Sequence, residues 1–123
     1  MAMILILDDS PVMVMNLAQI LAKAGYEVTT AGNGKEGITE LSNGLKPTVI
    51  LTDINMPEMD GIEFIKEARK SAATKFTPII VLSGDADGRK RDEARAAGAS
   101  GWLTKPPQPN QLLYVVKQLV PTK

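Results

Sequence analysis

The chain has 123 residues, 44% of them apolar, which is room for one domain with a proper core and too apolar for disorder. Fourteen Lys and Arg balance fourteen Asp and Glu, so no basic excess points to nucleic acid. With no cysteine and no histidine, disulfide frameworks, thiolate zinc sites, imidazole metal ligation and Ser-His-Asp triads are excluded.

The opening apolar run, Met1 to Leu7, is too short for a signal peptide and ends in Asp8-Asp9. No stretch approaches the roughly 20 apolar residues that cross a bilayer. The expectation is a soluble, cytoplasmic, single domain over residues 1–123, without membrane insertion and monomeric by default.

Short apolar runs alternate with longer amphipathic stretches. Met3 to Leu7 is continuously apolar, as a strand buried on both faces should be. From Pro11 to Ala24, Val12, Leu17, Ile20 and Leu21 recur at helical spacing, with Pro11 at the start and Gly25 past the end. Tyr26 to Thr30 reads as a second strand, and Gly34 to Leu45 as a helix with Ile38, Leu41 and Leu45 on one face. Thr48 to Thr52 is a third strand. Asp60 is the expected N-cap of a helix to Lys70, with Ile62, Ile65 and Ala68 inward. Ile79 to Leu82 follows as a strand behind Pro78, then a helix from Asp87 to Ala97 stopped by Gly98. A short strand at Gly101 to Thr104 and a helix from Pro109 to Leu119 close the series.

Strands alternating with helices in this way predict an α/β doubly wound fold, a five-stranded parallel sheet with helices on both faces. Right-handed crossovers then bring the C-terminal ends of all strands to one edge of the sheet, where such folds bind ligands. The first strand ends in Asp8-Asp9, the third in Asp53, the fourth in Ser83, and Lys105 follows the fifth. The second ends in Thr29-Thr30-Ala31, with nothing reactive. An order 2-1-3-4-5 would put that bare strand outermost and make the four polar ends neighbours.

Each group then has a physical task. Clustered carboxylates repel and need a cation or raised pKa values. Hard oxygen donors suit Mg²⁺, held here by Asp8 and Asp9. Asp53, central among the ends, is the nucleophile towards an activated phosphorus. Lys105 supplies positive charge, and Ser83 a hydroxyl for a phosphoryl oxygen. Positioning and charge neutralisation are most of what phosphoryl transfer demands. Taken singly, an Asp pair is a solvated turn, Ser83-Gly84 and Lys105-Pro106 ordinary loops, and Asp53 to Gly61 cap chemistry. Their coincidence at four strand ends carries the reading.

These residues resemble the receiver domains of bacterial two-component signalling. The resemblance covers nearly the whole chain: Asp8-Asp9, Asp53 in LTDINMPEMDGIEF, Ser83 in PIIVLSG and Lys105 in GASGWLTKP. KFTPI and AAGASGW are similar to single-domain chemotaxis receivers of the CheY type, a flavodoxin-like fold of order 2-1-3-4-5 that serves as a standard example of that order. The resemblance implies that Asp53 is the phosphoacceptor, supplied by a phosphohistidine on a sensor histidine kinase or phosphotransfer protein. It implies Mg²⁺ among Asp8, Asp9, Asp53 and the backbone carbonyl of Asn55, with Ser83 and Lys105 on the phosphoryl oxygens. Trp102 takes the place of the switch aromatic, and Asn55 and Asp85 fall where the lifetime of the acyl phosphate is tuned. The Lys105–Pro106 bond is expected to be cis.

The implied function is a phosphorylation switch, not an enzyme with separate turnover. Its output is protein contact, with chemotaxis and a flagellar-motor target as the first reading. A phosphorelay intermediate, or a regulator outside chemotaxis, is the second. Two departures stand out. Trp102 has an indole N–H where the family usually has Tyr or Phe, and Pro106-Pro107-Gln108-Pro109 replaces one proline and a large apolar residue.

Two other classes fit less well. An aspartyl-phosphate hydrolase of the haloacid-dehalogenase type needs an acid two residues after the nucleophile, where this chain has Asn55. A flavodoxin-like flavin carrier needs N–H groups towards a phosphate after the first strand, where Asp8-Asp9 would repel the anion.

Overall fold

A computed structural model of the chain describes residues 2–84 and 88–120. Five strands and five helices alternate: β1 (Met3–Leu7), α1 (Pro11–Lys23), β2 (Glu27–Ala31), α2 (Gly34–Ser42), β3 (Val49–Asp53), α3 (Gly61–Lys70), β4 (Ile79–Ser83), α4 (Gly88–Ala97), β5 (Gly101–Thr104) and α5 (Pro109–Leu119). All pairings are parallel and the order is β2-β1-β3-β4-β5, as the resemblance implies.

Period-two alternation divides the core between the two faces of the sheet. Leu5, Leu7, Ile50, Ile79 and Val81 join Ile62, Phe64, Ile65 and Ala68 of α3 and Ala94 of α4 on one side. Ile4, Ile6, Val49, Leu51, Ile80, Leu82 and Leu103 pack with Leu17 and Leu21 of α1 and Leu112 and Val116 of α5 on the other. Each fully buried Leu, Ile or Phe side chain contributes about 1.5–3 kcal/mol of hydrophobic stabilisation. Strands buried on both faces are therefore uninterrupted apolar runs.

Several boundaries move by a residue or more. β2 starts at Glu27 rather than Tyr26, and β3 and β4 extend to Asp53 and Ser83, the polar residues that follow the apolar runs. The helix expected to reach Leu45 ends at Ser42, because Asn43 caps it and Gly44 takes φ +102°; Leu45 still packs on the core from the loop. Val12 corrects the expected inner face of α1: it is 69% exposed, and Met13 packs inward beside Leu17 and Leu21. Asp87, the expected start of the fourth helix, lies outside the described residues.

Candidate phosphoryl-transfer site

The sheet's C-terminal edge gathers the acidic groups because β1 and β3 are direct neighbours, with Leu7 opposite Thr52. Asp8 continues β1: its backbone N–H donates to the Ala31 carbonyl at 3.1 Å, and its Oδ1 accepts the Ser10 N–H at 3.0 Å. Ser10 in turn caps α1, its Oγ accepting from the Met13 N–H. This cap was not anticipated from the sequence, although a Ser directly before a Pro at the helix start is its ordinary signature. Asp9 is exposed, whereas Asp8 and Asp53 are buried.

Asp53 ends β3 with its Oδ1 accepting the Ile54 N–H at 2.8 Å, which fixes the carboxylate plane and leaves Oδ2 for other partners. The turn beneath it is tight: the Gly61 N–H donates to Ile54 O at 2.8 Å. A Cβ on Gly61 would stand 2.1 Å from the Asp53 carbonyl oxygen. Gly61 therefore sets how closely α3 approaches the end of β3, a role that Asp60-Gly61, read from sequence as cap and loop, did not disclose. Asp60 is the N-cap expected, its Oδ1 accepting the Glu63 N–H.

Lys105 closes the site. The register sets Ser83 opposite Thr104, and the Lys105 N–H donates to Ser83 O at 2.9 Å. From there the Lys105 ammonium lies 2.8 Å from Asp8 Oδ2 and 3.3 Å from Asp53 Oδ2. The Lys105–Pro106 bond is cis, as expected. Burial works against the ammonium, but the Asp8 hydrogen bond and the charges of Asp53 and Asp8 outweigh it and hold its pKa above the ordinary lysine value. For Asp53 burial dominates: despite Lys105, its carboxyl is pushed above the ordinary aspartate value, with Asp8 adding to the rise.

Carboxylate oxygens of Asp8, Asp9 and Asp53 all lie within 4.8 Å of one another. Lys105 neutralises one of the three charges and leaves two uncompensated. That donor set, hard oxygens with an excess negative charge of two, matches a divalent cation such as Mg²⁺.

Of the other expected residues, Ser83 is buried at the end of β4, and Asn55 is exposed in the loop two positions past Asp53. Trp102 is half-buried on β5, opposite Val81, and packs against the α3-side core. Asp85 lies outside the described residues.

The family model for the response regulator receiver domain matches residues 4–117. The chemotaxis protein CheY of Thermotoga maritima is 39% identical over 117 residues, covering 94% of this chain and 95% of its own. The chemotaxis response regulator CheY4 of Vibrio cholerae superposes with a TM-score of 0.90 at 39% identity, over 98% of this chain and 99% of its own. The receiver domain of a Pseudomonas aeruginosa sensor histidine kinase, solved with magnesium coordinated in its active-site cleft, gives 0.88 at 26% identity over 96% of each chain. With the family match over residues 4–117 and this shared topology, the chain belongs to the response regulator receiver domains of two-component signalling.

Proposed function

We propose that the chain is a phosphorylation switch in which Asp53 accepts a phosphoryl group from a phosphohistidine, with Mg²⁺ at Asp8, Asp9, Asp53 and the carbonyl of Asn55. The carrying observation is Lys105 seated between Asp8 and Asp53 beside three converging carboxylates. Asp53 Oδ1 is engaged by the Ile54 N–H, so Oδ2 is the oxygen available for attack. A P–O bond forms at Oδ2, the P–N bond to the donor imidazole breaks, and the imidazole leaves with that electron pair. Bound Mg²⁺ supplies charge neutralisation for the phosphoryl oxygens. Lys105 exchanges a carboxylate contact for a phosphoryl oxygen, and the Ser83 hydroxyl takes another. Asn55 and Asp85 tune hydrolysis of the acyl phosphate, which returns Asp53 and inorganic phosphate.

The domain turns over no separate substrate, and its output is protein contact, reported through Trp102. No described helix is long and apolar enough to cross a membrane. A chemotaxis pathway is the setting that the two chemotaxis relatives support; a cytoplasmic location and a flagellar-motor target complete the proposal. Incubation with acetyl phosphate and Mg²⁺ should add one phosphoryl group per chain, and Asp53→Ala should add none. Labelling that persisted in Asp53→Ala would refute the assignment of the acceptor.

A further inference from the structure

Away from the acidic site, one charged side chain is engaged more densely than any of these. Arg69, in the last turn of α3, spends its whole guanidinium on backbone carbonyls. Nη1 donates to Thr77 O at 2.6 Å, Thr74 O at 2.8 Å and Lys75 O at 3.3 Å, all in the connection from α3 to β4. Nε and Nη2 both donate to Gly98 O, at 3.1 and 2.8 Å, in the turn that ends α4. No carboxylate pairs with Arg69 among the described residues; carbonyl dipoles meet its charge, those at the C-terminus of α4 included.

The same turn is fastened on every side. Gly98 takes φ +119°, its N–H donates to Ala94 O and Arg95 O, and the Ala99 N–H donates to Ala94 O. A Cβ on Gly98 would come within 2.9 Å of Arg69 Cγ, so the glycine serves both the left-handed backbone and the close approach of the arginine. Next along, the Ser100 N–H donates to Ile79 O at 2.7 Å and Ser100 Oγ accepts the Ile79 N–H at 3.1 Å. The other end of α4 differs. From Gly88 to Glu93 no residue is buried, the helix's one buried residue is Ala94, and a Cβ on Gly84 or Gly88 would meet none of the described residues within 4 Å.

We infer that Arg69 is a positioning residue that makes the C-terminal turn of α4 a fixed pivot. A phosphoryl group on Asp53, acting through Ser83 at the end of β4, then swings the N-terminal half of α4 about Gly98 instead of sliding the whole helix. The swing rests on the phosphorylation reading above; the pivot itself does not. Hydrogen-bonded ties at one end and scant burial at the other are what convert a displacement beside Ser83 into a rotation, since locally weak segments open and move first.

Amide exchange and backbone chemical shifts on the full chain, with and without Mg²⁺ and beryllofluoride, separate the two parts. In the parent the amides of Gly98 to Ser100 should exchange at least about ten-fold more slowly than those of Asp92 and Glu93. Arg69→Gln should erase that difference while leaving the rate of Asp53 phosphorylation within about two-fold. Arg69→Lys, which keeps the charge but cannot fork to two chain segments, should behave like Gln. Gly98→Ala attacks the same joint from the opposite side and serves if Arg69 variants fail to fold. Beryllofluoride should shift residues 88–93 and spare 98–100 in the parent, and shift both in Arg69→Gln. Unchanged exchange at Gly98 to Ser100 in Arg69→Gln, or full protection in Arg69→Lys, overturns the pivot. Equal beryllofluoride shifts at both ends of α4 in the parent overturn the swing. No shift anywhere, Asp53 included, overturns the swing together with the phosphorylation reading, and the exchange result alone then decides the pivot.

Discussion

Lys105 and Asp8, 97 positions apart in sequence, meet in a 2.8 Å ion pair at the C-terminal edge of the sheet. The pair spans β1 to the end of β5 across two intervening strands, and the same ammonium reaches Asp53 at 3.3 Å. A single side chain thus compensates carboxylates from two strands.

Lys105→Met should therefore destabilise the domain by about 1–3 kcal/mol, the range for leaving a buried polar partner unmatched. Because the folded-state pKa of Lys105 is raised, its contribution is fully present at neutral pH and is lost only as pH climbs through that raised value. Mg²⁺ should stabilise Lys105→Met more than the parent, since the variant's carboxylates lack their internal cation. Thermal melts with and without Mg²⁺ check both points; a variant as stable as the parent, with the same response to Mg²⁺, would contradict them.

Asp53→Asn should act in the opposite sense. Burial raises the Asp53 pKa, so between the unfolded carboxylate value, about 3.9, and the raised folded value the native state binds more protons. Stability from this group thus falls as pH rises through that window, and the full cost stands at neutral pH. Removing the charge should raise the Tm without Mg²⁺, because the burial that raises the Asp53 pKa no longer opposes an ionised group. The advantage should shrink as Mg²⁺ is added, because binding stabilises the parent by mass action. Melts of both proteins across the acid range are the check.

Gly61→Ala should be costly, because the new methyl carbon would lie 2.1 Å from the Asp53 carbonyl oxygen. A backbone atom cannot step aside as a side-chain tip does, so α3 and the loop from Ile54 must shift. A loss of about 1–3 kcal/mol is expected, as for other overpacked sites. Because the shift passes through Ile54, whose N–H fixes Asp53 Oδ1, labelling by acetyl phosphate should slow as well. Denaturant titration and a labelling time course measure the two effects.

Ser10→Ala removes the side-chain cap of α1 and should cost about 1 kcal/mol. Ser10 also donates its N–H to Asp8 Oδ1, a backbone contact the substitution keeps, so Mg²⁺ affinity should change little. Urea unfolding alongside a Mg²⁺ titration distinguishes a helix cap from a metal-site residue.

The strands were legible because burial on both faces leaves no room for polar alternation, so Met3 to Leu7 and Ile79 to Leu82 announce themselves as apolar runs. Asp8, Asp9, Asp53, Ser83 and Lys105 could be grouped because parallel topology fixes which chain ends share an edge. What stayed hidden depends on contacts distant in sequence. Arg69 looks like any basic residue in a last helical turn, and its partners at Thr74, Thr77 and Gly98 exist only after folding. Phe64 is fully buried between the expected positions Ile62 and Ile65, since α3 is covered on more than one side. Val12 was misplaced for the converse reason: hydropathy alone does not say which edge of an apolar helical stripe meets the sheet.

Reduction with borohydride after Mg²⁺-dependent labelling, followed by peptide mapping, tests the central claim most directly, because it converts an aspartyl phosphate to homoserine at the modified position. Homoserine at position 53, absent when Mg²⁺ is chelated, is the predicted result. Homoserine at another aspartate, or labelling indifferent to Mg²⁺, would contradict the account.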